Sequence, residues 1–168
     1  REITEETIHR HEITNLPGRR RLNSDIEKVI HDRNVFAASL ILIDIKEFHA
    51  FNDRFGKGIG DEILKGFSSR ISDYLPSGAS LYHMNVDTFG VLWPHASRVQ
   101  VERFMQFLTS ENSKPLNAGS EAVFVNCLMS ASLFPSCGNT GEELLMNAEI
   151  TLHKLKTEKN AKYAIYCA

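Results

Sequence analysis

The run Leu40-Ile41-Leu42-Ile43-Asp44-Ile45 constrains this chain more than any other stretch. An apolar segment of strand length carries a single carboxylate near its end, and an amphipathic segment begins at once behind it. A run without polar alternation suits a central strand covered on both faces by helices. An acid at the carboxyl end of such a strand stands at the rim of the sheet, where α/β proteins gather their ligands. Asp44 is therefore the first candidate for a chemical centre.

The rest of the chain reads as elements that could cover that strand. Leu22, Ile26, Val29 and Ile30 recur at helical spacing and predict a helix over residues 19–32, followed by a buried strand over 38–44. Phe48, Phe51 and Phe55 predict a short helix stopping near Gly56. Residues 56–60 read as a glycine-rich loop, with Asp61 in the first turn of a longer helix carrying Ile63, Leu64, Phe67 and Ile71. Two apolar stretches, at 80–85 and 88–93, flank Asn85-Val86-Asp87-Thr88 as a hairpin. Ser97 with Gln100, and Thr140 with Glu143, have the spacing of helix N-termini. Between those helices a loop at 114–120 and a strand at 121–134 are expected, and Tyr163 to Tyr166 reads as a closing strand. A mixed sheet with helices packed on it is the economical assembly.

Composition excludes several classes of function. A net charge of −2 lacks the basic surplus that nucleic acid or an anionic membrane would attract. No apolar run approaches the roughly 20 residues of a membrane span. Cys127, Cys137 and Cys167 show no CxxC spacing, which argues against structural zinc and a disulfide framework and points to a reducing, cytoplasmic setting. The chain opens on Arg1, so residues 1–10 read as the end of an upstream linker helix and 11–168 as one domain of a longer protein.

Three segments resemble the GGDEF domain, whose active members are diguanylate cyclases. His11-Glu12-Ile13-Thr14-Asn15-Leu16-Pro17-Gly18-Arg19-Arg20 is similar to D-x-L-T-G-L-P-N-R-R. Asp44-Ile45-Lys46-Glu47-Phe48-His49-Ala50-Phe51-Asn52-Asp53 is similar to D-I-D-x-F-K-x-I-N-D. Gly56-Lys57-Gly58-Ile59-Gly60-Asp61-Glu62-Ile63-Leu64 is similar to G-H-x-x-G-D-x-x-L. The resemblance implies a five-stranded mixed sheet surrounded by helices, an α+β fold like the palm of nucleotide cyclases and polymerases. It also implies nucleotide contacts at Asn52, Asp61, Phe48, His49 and Lys156, the first two reading guanine. Metal ligands are implied at Asp44, the carbonyl of Ile45, and Asp87, with Mg²⁺ or Mn²⁺ entering only with bound GTP.

The signature itself departs from the family. His83-Met84-Asn85-Val86-Asp87-Thr88-Phe89 stands where R-x-G-G-D-E-F is expected, so Asp87 and Phe89 are kept. Thr88 replaces an acid, and a hydroxyl is both a weak hard-cation ligand and a poor base; loss of a general base alone costs about 10²–10⁴ in rate. Val86 replaces a glycine, and a β-branched residue is strained at positive φ. Lys46 replaces the second acid of D-I-D, and Asn160 falls at a phosphate-contacting arginine. The family's inhibitory R-x-x-D site would fall at Pro76-Ser77-Gly78-Ala79, which does not match. His11 and His83 replace an aspartate–arginine pair, and two independent surface histidines are the simplest expectation.

The leading expectation is a non-catalytic GGDEF domain of a cyclic di-GMP-related multidomain protein. It would bind GTP to regulate a fused sensor or EAL phosphodiesterase domain, and a homodimer is a further expectation. Two alternatives stay open: a weak cyclase using Asp44 and Asp87, and a purely structural dimerisation module. For the guanine-reading pair, the competing explanation makes Asp61 a helix-start residue and Asn52 a cap.

Overall fold

The protein is described by a computed structural model covering residues 10–166. The expected linker helix therefore lies outside the described residues except for Arg10, which forms an antiparallel bridge with Pro17 instead of a helical turn. Cys167 also lies outside them.

In chain order the elements are α1 (Arg19–Ile30), β1 (Ala38–Ile45), α2 (Phe48–Phe55), α3 (Lys57–Asp73), β2 (Ser80–His83), β3 (Thr88–Pro94), α4 (Arg98–Glu111), β4 (Leu116–Ala118), β5 (Glu121–Val123), β6 (Cys127–Phe134), α5 (Gly141–Thr157) and β7 (Tyr163–Ile165). Five strands make one mixed sheet in the order β2-β3-β1-β6-β7. Its pairs are antiparallel except β6 with β7. The expected five-stranded α+β architecture is the one observed.

Strand β1 is central because every one of its residues is buried. Its side chains alternate between two cores, as a pleated strand requires. Ile41, Ile43 and Ile45 join Phe67, Phe89 and Met105 on the face covered by α3 and α4. Leu40 and Leu42 join Leu22, Ile26, Leu144 and Leu152 on the face covered by α1 and α5. At its carboxyl end β1 runs on into α2, and the β2–β3 turn lies beside it, with Ile45 N–H donating to the Asp87 carbonyl at 2.9 Å.

Two boundaries differ from the sequence reading. The glycine-rich stretch after Gly56 is the opening of α3. Gly56 at φ 88° makes the sharp joint between α2 and α3, and helical bonding resumes directly behind it, including Gly60 N–H to the Gly56 carbonyl at 3.2 Å. The strand expected at 121–134 is two strands. Residues 124–126 break it, and its first part turns back on Leu116–Ala118 as a small separate hairpin. Gly119 at φ 62° supplies the left-handed position in that turn, which lies inside the stretch expected to be a loop.

Candidate functional site

Asp44 sits one residue from the end of β1, opposite Thr88 of β3 and Leu128 of β6 in the sheet register. That register decides its partners. Thr88 Oγ1 donates to Asp44 Oδ1 at 3.0 Å, and Lys156 Nζ, reaching across from α5, pairs with Oδ2 at 3.2 Å. The carboxylate is only 5% exposed. Burial, followed by the neighbouring Asp87 charge, raises its pKa above the usual aspartate value, while Lys156 and the Thr88 hydroxyl oppose the rise. Asp44, Ile45, Lys46, Glu47, Phe48, His49, Asp87, Leu128 and Lys156 line an open pocket of about 380 Å³.

Most residues implied by the resemblance thus converge on one place. Asp44, Ile45, Phe48, His49, Asp87 and Lys156 share this pocket. Phe48 is 3% exposed and belongs to the core beneath the pocket. Glu47 holds the left-handed conformation at φ 56° where β1 gives way to α2. Lys46 N–H donates to the Asn126 carbonyl at 2.8 Å and is not free to cradle a phosphate.

The signature turn forms without strain. Asn85 and Val86 both avoid positive φ, so the turn takes a geometry that suits a β-branched residue. Met84 and Asn85 N–H groups both close on the Thr88 carbonyl, at 2.8 and 3.3 Å, and Ile45 N–H donates to the Asp87 carbonyl at 2.9 Å. The Val86 side chain is 62% exposed at the tip.

Asn52 and Asp61 do not wall that pocket; they lie on α2 and α3, and Asn52 packs against Gly60, the residue before Asp61. A Cβ on Gly60 would fall 1.8 Å from Asn52 Oδ1, so glycine is what allows the amide to lie against α3. Asn52 Oδ1 is buried without a hydrogen-bond partner. Asn52 lies inside α2 and is not its N-cap, and Asp61 is the fifth residue of α3, beyond its first turn. The helix-start and cap explanations therefore fail on geometry.

The two histidines are not independent. His83 is 2% exposed, and its ring stacks between His11 (centroids 3.6 Å apart) and Phe89 (4.4 Å). His83 Nε2 lies 3.0 Å from the Val86 carbonyl and so carries the proton. Nδ1 then accepts from the Thr14 hydroxyl at 2.8 Å. Burial lowers the His83 pKa to about 4, with His11 pushing the same way and backbone carbonyls opposing. His11 is also lowered by burial, against the charges of Glu12 and Asp61. The resemblance set these two histidines at positions paired in the family; the stack itself is assembled by the β2–β3 pairing and the bridge at Arg10–Pro17.

The donor set fits a divalent cation poorly. Among the described residues no group of three or more His, Cys, Asp or Glu side chains is placed to hold a metal. Both oxygens of Asp44 already have protein partners, and Thr88 stands where the family has a further carboxylate. Among the described residues, too, no helix is long and apolar enough to cross a membrane.

Comparison with known proteins agrees with this geometry. The family model described as "Diguanylate cyclase, GGDEF domain" matches residues 8–162. The chain is 25% identical over 170 residues to the bifunctional diguanylate cyclase/cyclic di-GMP phosphodiesterase MucR of Pseudomonas aeruginosa, covering 99% of this chain and 24% of that protein. It is 28% identical over 131 residues to the cyclic di-GMP phosphodiesterase NbdA of the same organism, covering 74% of this chain and 16% of that protein. The chain thus spans a quarter or less of these two relatives. Among solved structures, the GGDEF domain of Pseudomonas aeruginosa TpbB (YfiN) superposes with a TM-score of 0.88 at 22% identity, covering 95% of each chain. A diguanylate cyclase/phosphodiesterase from Caldicellulosiruptor saccharolyticus gives a TM-score of 0.85 at 20% identity, covering 96% of this chain and 95% of that one. With the fold, the rim carboxylate and the matched segments in agreement, this chain belongs to the GGDEF family of cyclic di-GMP signalling domains.

Proposed function

We propose that this domain is a non-catalytic member of its family that holds a guanine nucleotide and passes that state to a neighbouring domain, such as an EAL phosphodiesterase. The observation that carries the reading is Thr88. It stands where the family has its signature acid and spends its hydroxyl on Asp44, at 3.0 Å. A hydroxyl is a poor base, so Thr88 does not take the proton of an attacking hydroxyl as a carboxylate would. Val86 at the tip of the turn adds an isopropyl group where the family has bare backbone.

Nucleotide retention is supported by Asn52 and Asp61. Asn52 carries a buried carbonyl oxygen that no protein group satisfies, and such an atom is costly unless a ligand or water meets it. The regulatory role is supported by the company its relatives keep: MucR is a bifunctional cyclase/phosphodiesterase, and NbdA a phosphodiesterase.

The test is product formation. The domain at high concentration with GTP and Mg²⁺ or Mn²⁺ is expected to yield no cyclic di-GMP by chromatography. Sustained production that Asp87→Ala abolishes would replace this reading with the weak-cyclase one. GTP binding by calorimetry is expected in the wild type and lost in Asn52→Ala; equal binding in that variant would remove the nucleotide half of the proposal.

A further inference from the structure

We infer that the groove between α2 and residues 124–126, which join β5 to β6, is a second ligand site, built for a small aromatic carboxylate. It lies beside the Asp44 pocket and shares only Lys46 and Glu47 with it. Neither Asn52 nor Asp61 lines it, so the inference does not rest on the nucleotide reading.

The groove exists because β5 stops short of β6. Residues 124–126 belong to neither strand, and the Asn126 carbonyl accepts from Lys46 N–H at 2.8 Å, which ties this stretch to the junction of β1 with α2. Val123 and Val125 are buried in the core, so Phe124 between them turns outward and is 62% exposed. Phe51 and Phe55 of α2 supply the other wall, their rings stacked with centroids 6.5 Å apart and partly buried against the core. One exposed phenylalanine is ordinary on a protein surface. Three of them lining one groove of about 310 Å³ form an apolar surface of ligand size.

The charge of the lining is net positive. Lys46 and Arg54 face a single carboxylate in the groove, Glu47. Among the described residues neither cation forms an ion pair, whereas Lys65, Lys114 and Lys156 each do. The Arg54 guanidinium lies 5.2 Å from the centre of the Phe55 ring, a cation–π contact that holds it over the aromatic wall. A planar guanidinium held in this way offers its N–H fork to a carboxylate as a bidentate pair, and Lys46 adds a second positive charge. A carboxylate bound there sets an attached ring beside Phe51 and Phe124, where its apolar faces leave water. The volume is near the lower bound for ligand pockets, so the groove has room for roughly one or two rings and not for a dinucleotide.

The probe is naphthylacetate, with naphthylethanol as its uncharged counterpart, each titrated into the isotope-labelled domain without nucleotide and followed by amide chemical shifts. Saturable binding of the acid is expected, with the largest shifts at residues 46–55 and 124–126, and at least about tenfold weaker binding of the alcohol. Arg54→Gln is expected to weaken the acid about tenfold and to leave the alcohol unchanged. Phe124→Ser is expected to weaken both about fivefold or more, because it removes the aromatic wall and spares the charges. Both side chains are exposed, so both variants are expected to keep the native circular dichroism. Should Arg54→Gln lose it, Lys46→Gln takes its place with the same expected loss for the acid. No saturation by the acid below about 5 mM overturns the inference. So do shifts centred away from the groove, equal affinity for acid and alcohol, or full affinity for the acid in a folded Arg54→Gln.

Discussion

At the scale of single residues, the site turns on Thr88, a hydroxyl where the family has an acid, and on Gly60, a glycine kept from the family. Thr88 and Asp44 are partners because the β1–β3 register sets them face to face, a relation that two residues 44 positions apart do not advertise. Gly60 is the counterpart on the guanine side: it has no side chain, and Asn52 Oδ1 occupies the space one would need. Gly60→Ala should leave the fold standing, since alanine favours the helix by about 0.5–1 kcal/mol and the amide it displaces is the free end of a side chain. The displaced Asn52 should cost GTP affinity about tenfold, the worth of one recognition hydrogen bond. Calorimetry beside a thermal melt checks both; unchanged affinity at unchanged melting temperature would show that Asn52 does not touch the ligand.

At the scale of elements, the segment before α1 is fastened to the signature hairpin by aromatic stacking where the family has an ion pair. His83 is held neutral, with Nε2–H donating to Val86 and Nδ1 accepting from Thr14. Its pKa is about 4 in the folded protein and near 6.5 in an unfolded chain, so between those values the unfolded state binds more protons. The contribution of His83 to stability is therefore full above pH 6.5 and is lost as pH falls towards 4, by about 3 kcal/mol in all. Urea unfolding across that window should show the slope of one extra proton, and His83→Phe should flatten it. Equal slopes in both proteins would mean that the stack carries no titrating proton.

At the scale of the whole molecule, two cores share one sheet, and β1 belongs to both. Ile43 faces α3 and α4, and Leu42 faces α1 and α5; each is 1% exposed or less. Truncating either to alanine should cost about 2–5 kcal/mol, because a fully packed site cannot collapse around the lost methyls. The check is whether chemical unfolding stays a single transition in both variants. Loss of one helix pair ahead of the other would show that the two faces are not one cooperative unit.

What this chain's sequence determined by itself is whatever depends on local pattern. The unbroken apolar run made β1 central, helical spacing placed α1, α4 and α5, and the matched segments named the family. Boundaries failed where local rules were overridden. Glycines after Gly56 read as loop although helical hydrogen bonds closed across them, and one apolar stretch concealed the break at 124–126 because Val123, Val125, Cys127 and Met129 keep a strand's alternation across it and face the same core. Only the tertiary structure decided that Lys156 and Thr88 both answer to Asp44, that His11 and His83 stack, and that Asn52 is seated on Gly60. Those are contacts between distant parts of the chain, set by strand register and by the packing of helices, and neither is written in any one segment.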